Sequence, residues 1–287
     1  MSVSHTPKQS VDTHQHLWVM SERKYDWLIP EYGVIYNDFR PEDVAADVRL
    51  AGITGTVLVQ AADTYDDTFY MLSVAAENPR ILGVVGWLPF DRPTEAETAI
   101  NLFAKSKLIK GFRNLSHNYE DPRWILRPEV HKTLAVMASR GFTLDMVSVN
   151  SDHNLAILEL AKRHGGLKIV IDHMAKPPIA DKGWEPWAGE LAALGAQPNV
   201  HCKISGLNTA SAPNFTFNDW QPYVDHVVDC FGSKRVMLGS DWPVSLLNGD
   251  FAGVWQAQRA VIAGLSASEQ DDIYFRSAAE FYSLDLV

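Results

Sequence analysis

Cysteine is scarce in this chain: Cys202 and Cys230 are its only two among 287 residues. They show no Cys-x-x-Cys spacing, which excludes a disulfide framework and leaves two buried thiols in a reducing compartment as the expected state. No apolar run approaches the ~20 residues needed to cross a bilayer. Residues 1–10 are polar and lack an apolar core, so they read as a flexible leader rather than a signal peptide or anchor, and a cytoplasmic location is expected. Basic clusters are missing as well. Lys and Arg number 25 against 35 Asp and Glu, for a net charge of −10, and without a basic stripe nucleic acid is not an expected partner. No Gly-x-Gly-x-x-Gly follows an apolar run, so no nucleotide cofactor is expected. No Gly-x-Ser-x-Gly elbow surrounds Ser205 or Ser240, which removes the serine-hydrolase reading.

What is present is an alternation. Short β-branched and apolar runs at 11–16, 55–60, 81–88, 109–113, 142–147, 168–173, 200–205 and 235–240 read as strands. Helical periodicity falls between them at 41–51, 66–77, 94–104, 128–140, 153–164, 185–195 and 223–231, with a last helical stretch at 266–282. Pro41 and Pro128 stand where a first helical turn tolerates proline, and Gly141 and Gly165 follow basic last turns. Eight such strands favour a (β/α)8 TIM barrel over an open doubly wound sheet, with residues 11–287 as one domain behind the leader. Residues 27–40, rich in proline and aromatics, form a longer connection than usual and are expected at the barrel mouth, as a lid or a packed surface loop.

In such a barrel, chemistry sits at the C-terminal strand ends. His14 and His16 end the first strand and share a face, because alternate strand residues do. Gln60 ends the second, Arg113 the fourth, His173 the sixth and Asp241 the eighth, while Asp145 lies late in the fifth. The pair of histidines can converge on one metal ion or one carbonyl oxygen, and Asp241 can complete that site.

These residues carry a resemblance. His14-Gln15-His16-Leu17-Trp18, Gly111-Phe112-Arg113, Ile171-Asp172-His173-Met174-Ala175-Lys176-Pro177, Cys202-Lys203-Ile204-Ser205-Gly206-Leu207 and Gly239-Ser240-Asp241-Trp242-Pro243 resemble the amidohydrolase superfamily in its amidohydrolase-related branch, and within it the sugar-lactonase subgroup. The resemblance implies hydrolysis of aldonolactones such as L-fucono- or L-rhamnono-lactone. Binuclear members place a bridging carboxylated lysine or glutamate on the fourth strand and a histidine on the fifth. Here the fourth ends in Arg113, Lys110 lies on its opposite face, and the fifth has no histidine. At most one divalent ion is therefore expected, with zinc on His14, His16 and Asp241, and the subgroup resemblance does not make that ion essential.

A lactone needs a positioned water, a base and stabilisation of the developing oxyanion. Asp241 is the expected base, and His14, His16 and His173 the groups that polarise the carbonyl directly or through an ion. Arg113 is expected to orient substrate through its planar fork. Gln60, Asp145 and Lys176 follow as further substrate contacts, and Trp27 and Trp242 as stacking faces. The competing readings are a hydrolase of carboxylated aromatic-pathway lactones or pyrones, a metal-dependent decarboxylase of the same branch, and a silent binding protein. The sequence leaves open a homo-oligomer, the particular lactone and its ring size.

Overall fold

The computed structural model describes residue 5 and residues 7–285; the rest of the expected leader, residues 1–4 and 6, lies outside the described residues. Eight parallel strands run in chain order: β1 (Val11–Gln15), β2 (Gly55–Val59), β3 (Ile81–Gly86), β4 (Ile109–Phe112), β5 (Thr143–Val147), β6 (Ile169–Asp172), β7 (Val200–Ile204) and β8 (Val236–Leu238). Each pairs with the next. The helices between and after them are α1 (Pro41–Leu50), α2 (Tyr65–Glu77), α3 (Pro93–Phe103), α4 (Pro128–Ser139), α5 (Ser151–Arg163), α6 (Trp187–Gly195), α7 (Phe217–Phe231), α8 (Phe251–Ile262), α9 (Ala267–Asp271) and α10 (Ser277–Tyr282).

The ring closes between β8 and β1 through a seam rather than a regular ladder. Thr13 Oγ1 donates to Leu238 O at 2.7 Å, Asp241 N to His14 O at 2.8 Å and His16 N to Trp242 O at 2.7 Å. The Asp12 carboxylate accepts from Ser240 N at 2.8 Å and Ser240 Oγ at 2.6 Å. Burial pushes the Asp12 carboxyl up to about 6, with the Ser240 hydrogen bonds opposing that rise.

Strand alternation sorts the side chains. Leu58, Val84, Phe112, Leu144, Ile171, Cys202 and Leu238 pack with the helices in the main core, each fully buried aliphatic contributing roughly 1.5–3 kcal/mol. Their neighbours Val57, Val59, Val85, Val170 and Met237 form a second cluster with Phe281, Tyr282 and Leu284. That cluster fills the barrel interior, and α10 stoppers it from below. The interior layer above is charged, and there the site is built.

Two helices depart from the sequence expectation. α7 begins at Phe217, because Thr216 and Asp219 form a capping box upstream of Pro222. α8 was not expected; Asp250 caps it by accepting from Gly253 N at 2.7 Å. Residues 27–40 sit at the barrel mouth as expected, with a 3-10 turn at Pro30–Ile35. Trp18 and Phe39 exchange backbone hydrogen bonds, and Trp27 Nε1 donates to Ala61 O at 2.6 Å, which pins the segment at both ends.

Candidate active site

Past a register shift between Asp12 and Gln15, Gln15 faces outward level with Leu58, and its neighbours His14 and His16 face the barrel interior. His16 Nδ1 contacts Val59 O at 2.7 Å, so that nitrogen carries the proton and Nε2 faces the site with a lone pair. Its Nε2 lies 3.1 Å from His14 Nε2. The Asp241 carboxylate converges on the same point, with Oδ1 3.6 Å from His16 Nε2, 3.8 Å from His14 Nε2 and 3.8 Å from His173 Nε2.

Backbone strain aims two of these groups. Asp241 has φ of 56°, and His173, Met174, Ala175 and Lys176 form four consecutive left-handed residues with φ between 51° and 57°. Such residues cost roughly 1–2 kcal/mol each, so the surroundings must hold them. Met174 and Ala175 are buried, and Trp187 Nε1 donates to Met174 O at 2.7 Å. The opposite wall comes close: a Cβ on Gly206, itself at φ +60°, would stand 2.8 Å from His173 Nδ1 and 2.9 Å from Asp241 Oδ2. Only glycine fits there.

Burial dominates the imidazoles of His14, His16 and His173, and lowers all three below the usual histidine range. They are neutral near pH 7. Burial works the other way on Asp241, but His173, the His16 hydrogen bond and Lys176 outweigh it, and the carboxyl ends below its ordinary value. The result is an ionised carboxylate facing neutral nitrogens.

Behind them lies a charged layer that sequence reasoning missed. Asp172 Oδ2 pairs with Arg113 Nη1 at 3.1 Å, and Asp172 Oδ1 lies 3.1 Å from Lys203 Nζ and 3.2 Å from His14 Nδ1. Lys203 Nζ also donates to Asp145 Oδ2 at 2.6 Å, which accepts from Tyr282 OH at 2.6 Å. Burial would raise the Asp172 carboxyl, yet Lys203, His14 and Arg113 hold it well below the usual range. The available signal was register. Asp172 and Lys203 sit at inward positions of otherwise apolar strands, where a charge needs a partner.

A cavity of about 260 Å³ opens above this layer. His16, His173, Arg113, Asp241, Lys176 and Trp27 line it, as expected of substrate-facing groups, and Tyr32, His117 and Asn118 join them. His14 stands behind His16. Three expected contacts lie elsewhere. Gln60 is fully buried and donates to Asp63 Oδ1 at 2.9 Å and Arg113 O at 3.2 Å. Asp145 sits one interior layer lower on Lys203 and Tyr282, and Trp242 is buried against Phe39. Asp145 is an inward strand position below the mouth, whereas Gln60 and Trp242 lie past the ends of β2 and β8 with their side chains held in the wall. Lys176 reaches it while donating to Thr209 Oγ1 at 3.3 Å. Burial, and after it the field of Arg113, lowers His117 to about 4, so it faces the cavity neutral.

Arg113 has two duties. Its guanidinium is gripped by Asp172 and by Gln60 O, at 2.5 Å from Nη2, while its edge lines the cavity. Arg113→Lys keeps one charge but cannot make both contacts, and kcat/KM should fall at least about tenfold, or ~1.4 kcal/mol. Unchanged kinetics with a lowered Tm would reduce Arg113 to a structural cation.

His14 Nε2, His16 Nε2 and Asp241 Oδ1 are a candidate metal-binding group, as are His14, Asp172 and His173. Donors around one tetrahedral ion at ~2.0–2.2 Å stand roughly 3.3–3.6 Å apart, close to the 3.1, 3.6 and 3.8 Å of the first set. Asp241 Oδ2, buried and without a hydrogen-bond partner among the described residues, adds a free acceptor. The first set fits a single ion. A bridged pair does not fit, since Arg113 ends β4 and no histidine lies in β5.

Comparison with known proteins agrees with this geometry. A family model described as amidohydrolase matches residues 11–284. An L-fucono-1,5-lactonase of Burkholderia ambifaria is 36% identical over 279 residues, covering 96% of each chain. A second L-fucono-1,5-lactonase, from Burkholderia multivorans, is 28% identical over 96% of each chain. The crystal structure of an amidohydrolase from Burkholderia multivorans with bound zinc superimposes with a TM-score of 0.89 at 27% identity, covering 96% of this chain and 99% of that one.

Proposed function

Because the chain belongs to the amidohydrolase family, we propose that it is a hydrolase that opens the ring of a sugar-derived lactone, an aldonolactone of the L-fucono or L-rhamnono type. The observation that carries this reading is the ionised Asp241 among neutral His14, His16 and His173 at the floor of a cavity sized for one small ring. Named relatives at 36% and 28% identity that act on L-fucono-1,5-lactone support the substrate class.

Asp241 accepts a proton from water as the water oxygen bonds to the lactone carbonyl carbon. Arg113 donates to the oxyanion that forms, and so does His173 with its proton on Nε2 and Nδ1 accepting from Ser205, whereas His16 Nε2 meets the water as an acceptor. When the tetrahedral adduct collapses, the bond to the ring oxygen breaks, and Asp241 returns its proton to that oxygen as a hydroxyl. The product is an open-chain hydroxy acid. An ion on His14, His16 and Asp241 would supply Lewis-acid polarisation and a more acidic water. Trp27 and Tyr32 offer an aromatic wall, and His117, Asn118 and Lys176 offer partners for ring hydroxyls.

The rival reading as a hydrolase of carboxylated pyrones would use Arg113 as an anion clamp. The pairing with Asp172 spends that charge inside the protein. A panel of 1,4- and 1,5-aldonolactones, followed by proton release in weak buffer with and without chelator, tests the proposal. Turnover is expected on deoxy-sugar lactones. Turnover of a carboxylated pyrone with none on any aldonolactone would replace the proposal with the rival.

A further inference from the structure

One histidine at the cavity takes no part in the proton transfers. His117 lies in the 3-10 turn Ser116–Asn118 that follows β4, and it lines the cavity with Arg113, Lys176 and His173. Its Nδ1 is buried without a hydrogen-bond partner among the described residues. Nε2 makes no hydrogen bond to a described residue either, and it is the nitrogen left open to the cavity. A polar atom left unmet when water is expelled is costly. A ligand that fills the cavity must therefore answer Nε2 or bind weakly.

The turn that carries His117 is braced. Asp63, just past β2, accepts from Leu115 N at 3.0 Å through Oδ1 and from Tyr119 OH at 2.6 Å through Oδ2, so one carboxylate clamps both flanks of the turn. Gln60 Nε2 donates to the same Oδ1 at 2.9 Å, and Asn114 Nδ2 donates to Leu88 O at 2.9 Å. The unmet nitrogens thus sit on a preorganised segment and not on a loose surface loop.

The charge state narrows the ligand. Burial first, then the fields of Arg113, Lys176 and His153, lower His117 to about 4, so near pH 7 the ring is neutral and carries one N–H and one lone pair. A hydroxyl both donates and accepts, and it answers Nε2 in either tautomer. A carboxylate only accepts, and it satisfies Nε2 in one tautomer alone.

We propose that His117 is a specificity-determining residue, which selects a hydroxylated lactone ring over a bare one through a hydrogen bond between its Nε2 and a ring hydroxyl. The inference rests on the reading of the cavity as a lactone site. For its test, kcat/KM is measured on L-fucono-1,5-lactone and on δ-valerolactone, the unsubstituted ring of the same size, for the wild type, His117→Leu and His117→Gln. The wild type should favour the hydroxylated lactone. In His117→Leu that preference, the ratio of the two kcat/KM values, should fall at least about tenfold, the effect of one hydrogen bond lost from an otherwise unmet group. His117→Gln, whose amide places a donor and an acceptor near the position of Nε2, should keep most of the preference.

A histidine with only a structural role would lower both kcat/KM values together, along with Tm, and leave their ratio unchanged. That result overturns the inference while the substrate reading stands. Equal loss in the Gln and Leu variants also overturns it, since shape and not hydrogen bonding would then set the preference. A wild type that prefers the bare ring, or turns over neither lactone, removes the substrate reading and the inference with it.

Discussion

Asp241→Asn should leave the barrel folded and lower kcat by about 10²–10⁴-fold or more. The amide is isosteric and keeps the left-handed backbone, whose N donates to His14 O at 2.8 Å. What it removes is the proposed acceptor of the water proton, and with it the charge facing His16 and His173. KM should change far less than kcat, because the loss is made in the transition state. Wild-type turnover across neutral pH in this variant would take Asp241 out of the mechanism.

Asp172→Ala should be the most destabilising single change in the site. It leaves the buried guanidinium of Arg113 without its carboxylate partner and the ammonium of Lys203 with Asp145 alone, and breaking a buried charge pair costs about 3–5 kcal/mol. Tm should fall on the order of 10 °C. Asp172→Asn, which keeps hydrogen-bond acceptance without the charge, should lose less. An alanine variant that melts with the wild type would show that the interior cations need no counter-charge.

The eight strands were legible because each is a short apolar run bounded by turn residues, and the strand-end rule then drew His14, His16, His173, Arg113 and Asp241 to one mouth. All but His14 line the cavity, and His14 touches His16, which does. The rest needed three dimensions. Asp145 has the same strand alternation as a mouth residue, but its height in the barrel depends on how β5 is staggered against its neighbours. Lys203 and Asp172 carry the signal of a charge within an apolar run, yet nothing in the linear order says that they meet. Tyr282 lies in another element altogether. α8 was hidden because Gly253 and two aromatics in Phe251–Ile262 dilute a helical pattern that the Asp250 cap nonetheless starts.

The seam between β8 and β1 puts the histidines and the proposed base at opposite ends of the order of synthesis. A ribosome makes His14 and His16 with the first strand of the barrel and Asp241 only after the eighth, so no chain that stops short of β8 can hold the complete set. Catalysis is consequently an assay of ring closure. In a refolding experiment, recovered turnover should follow the joining of the first strand to the last, and lag behind any signal that reports helices alone.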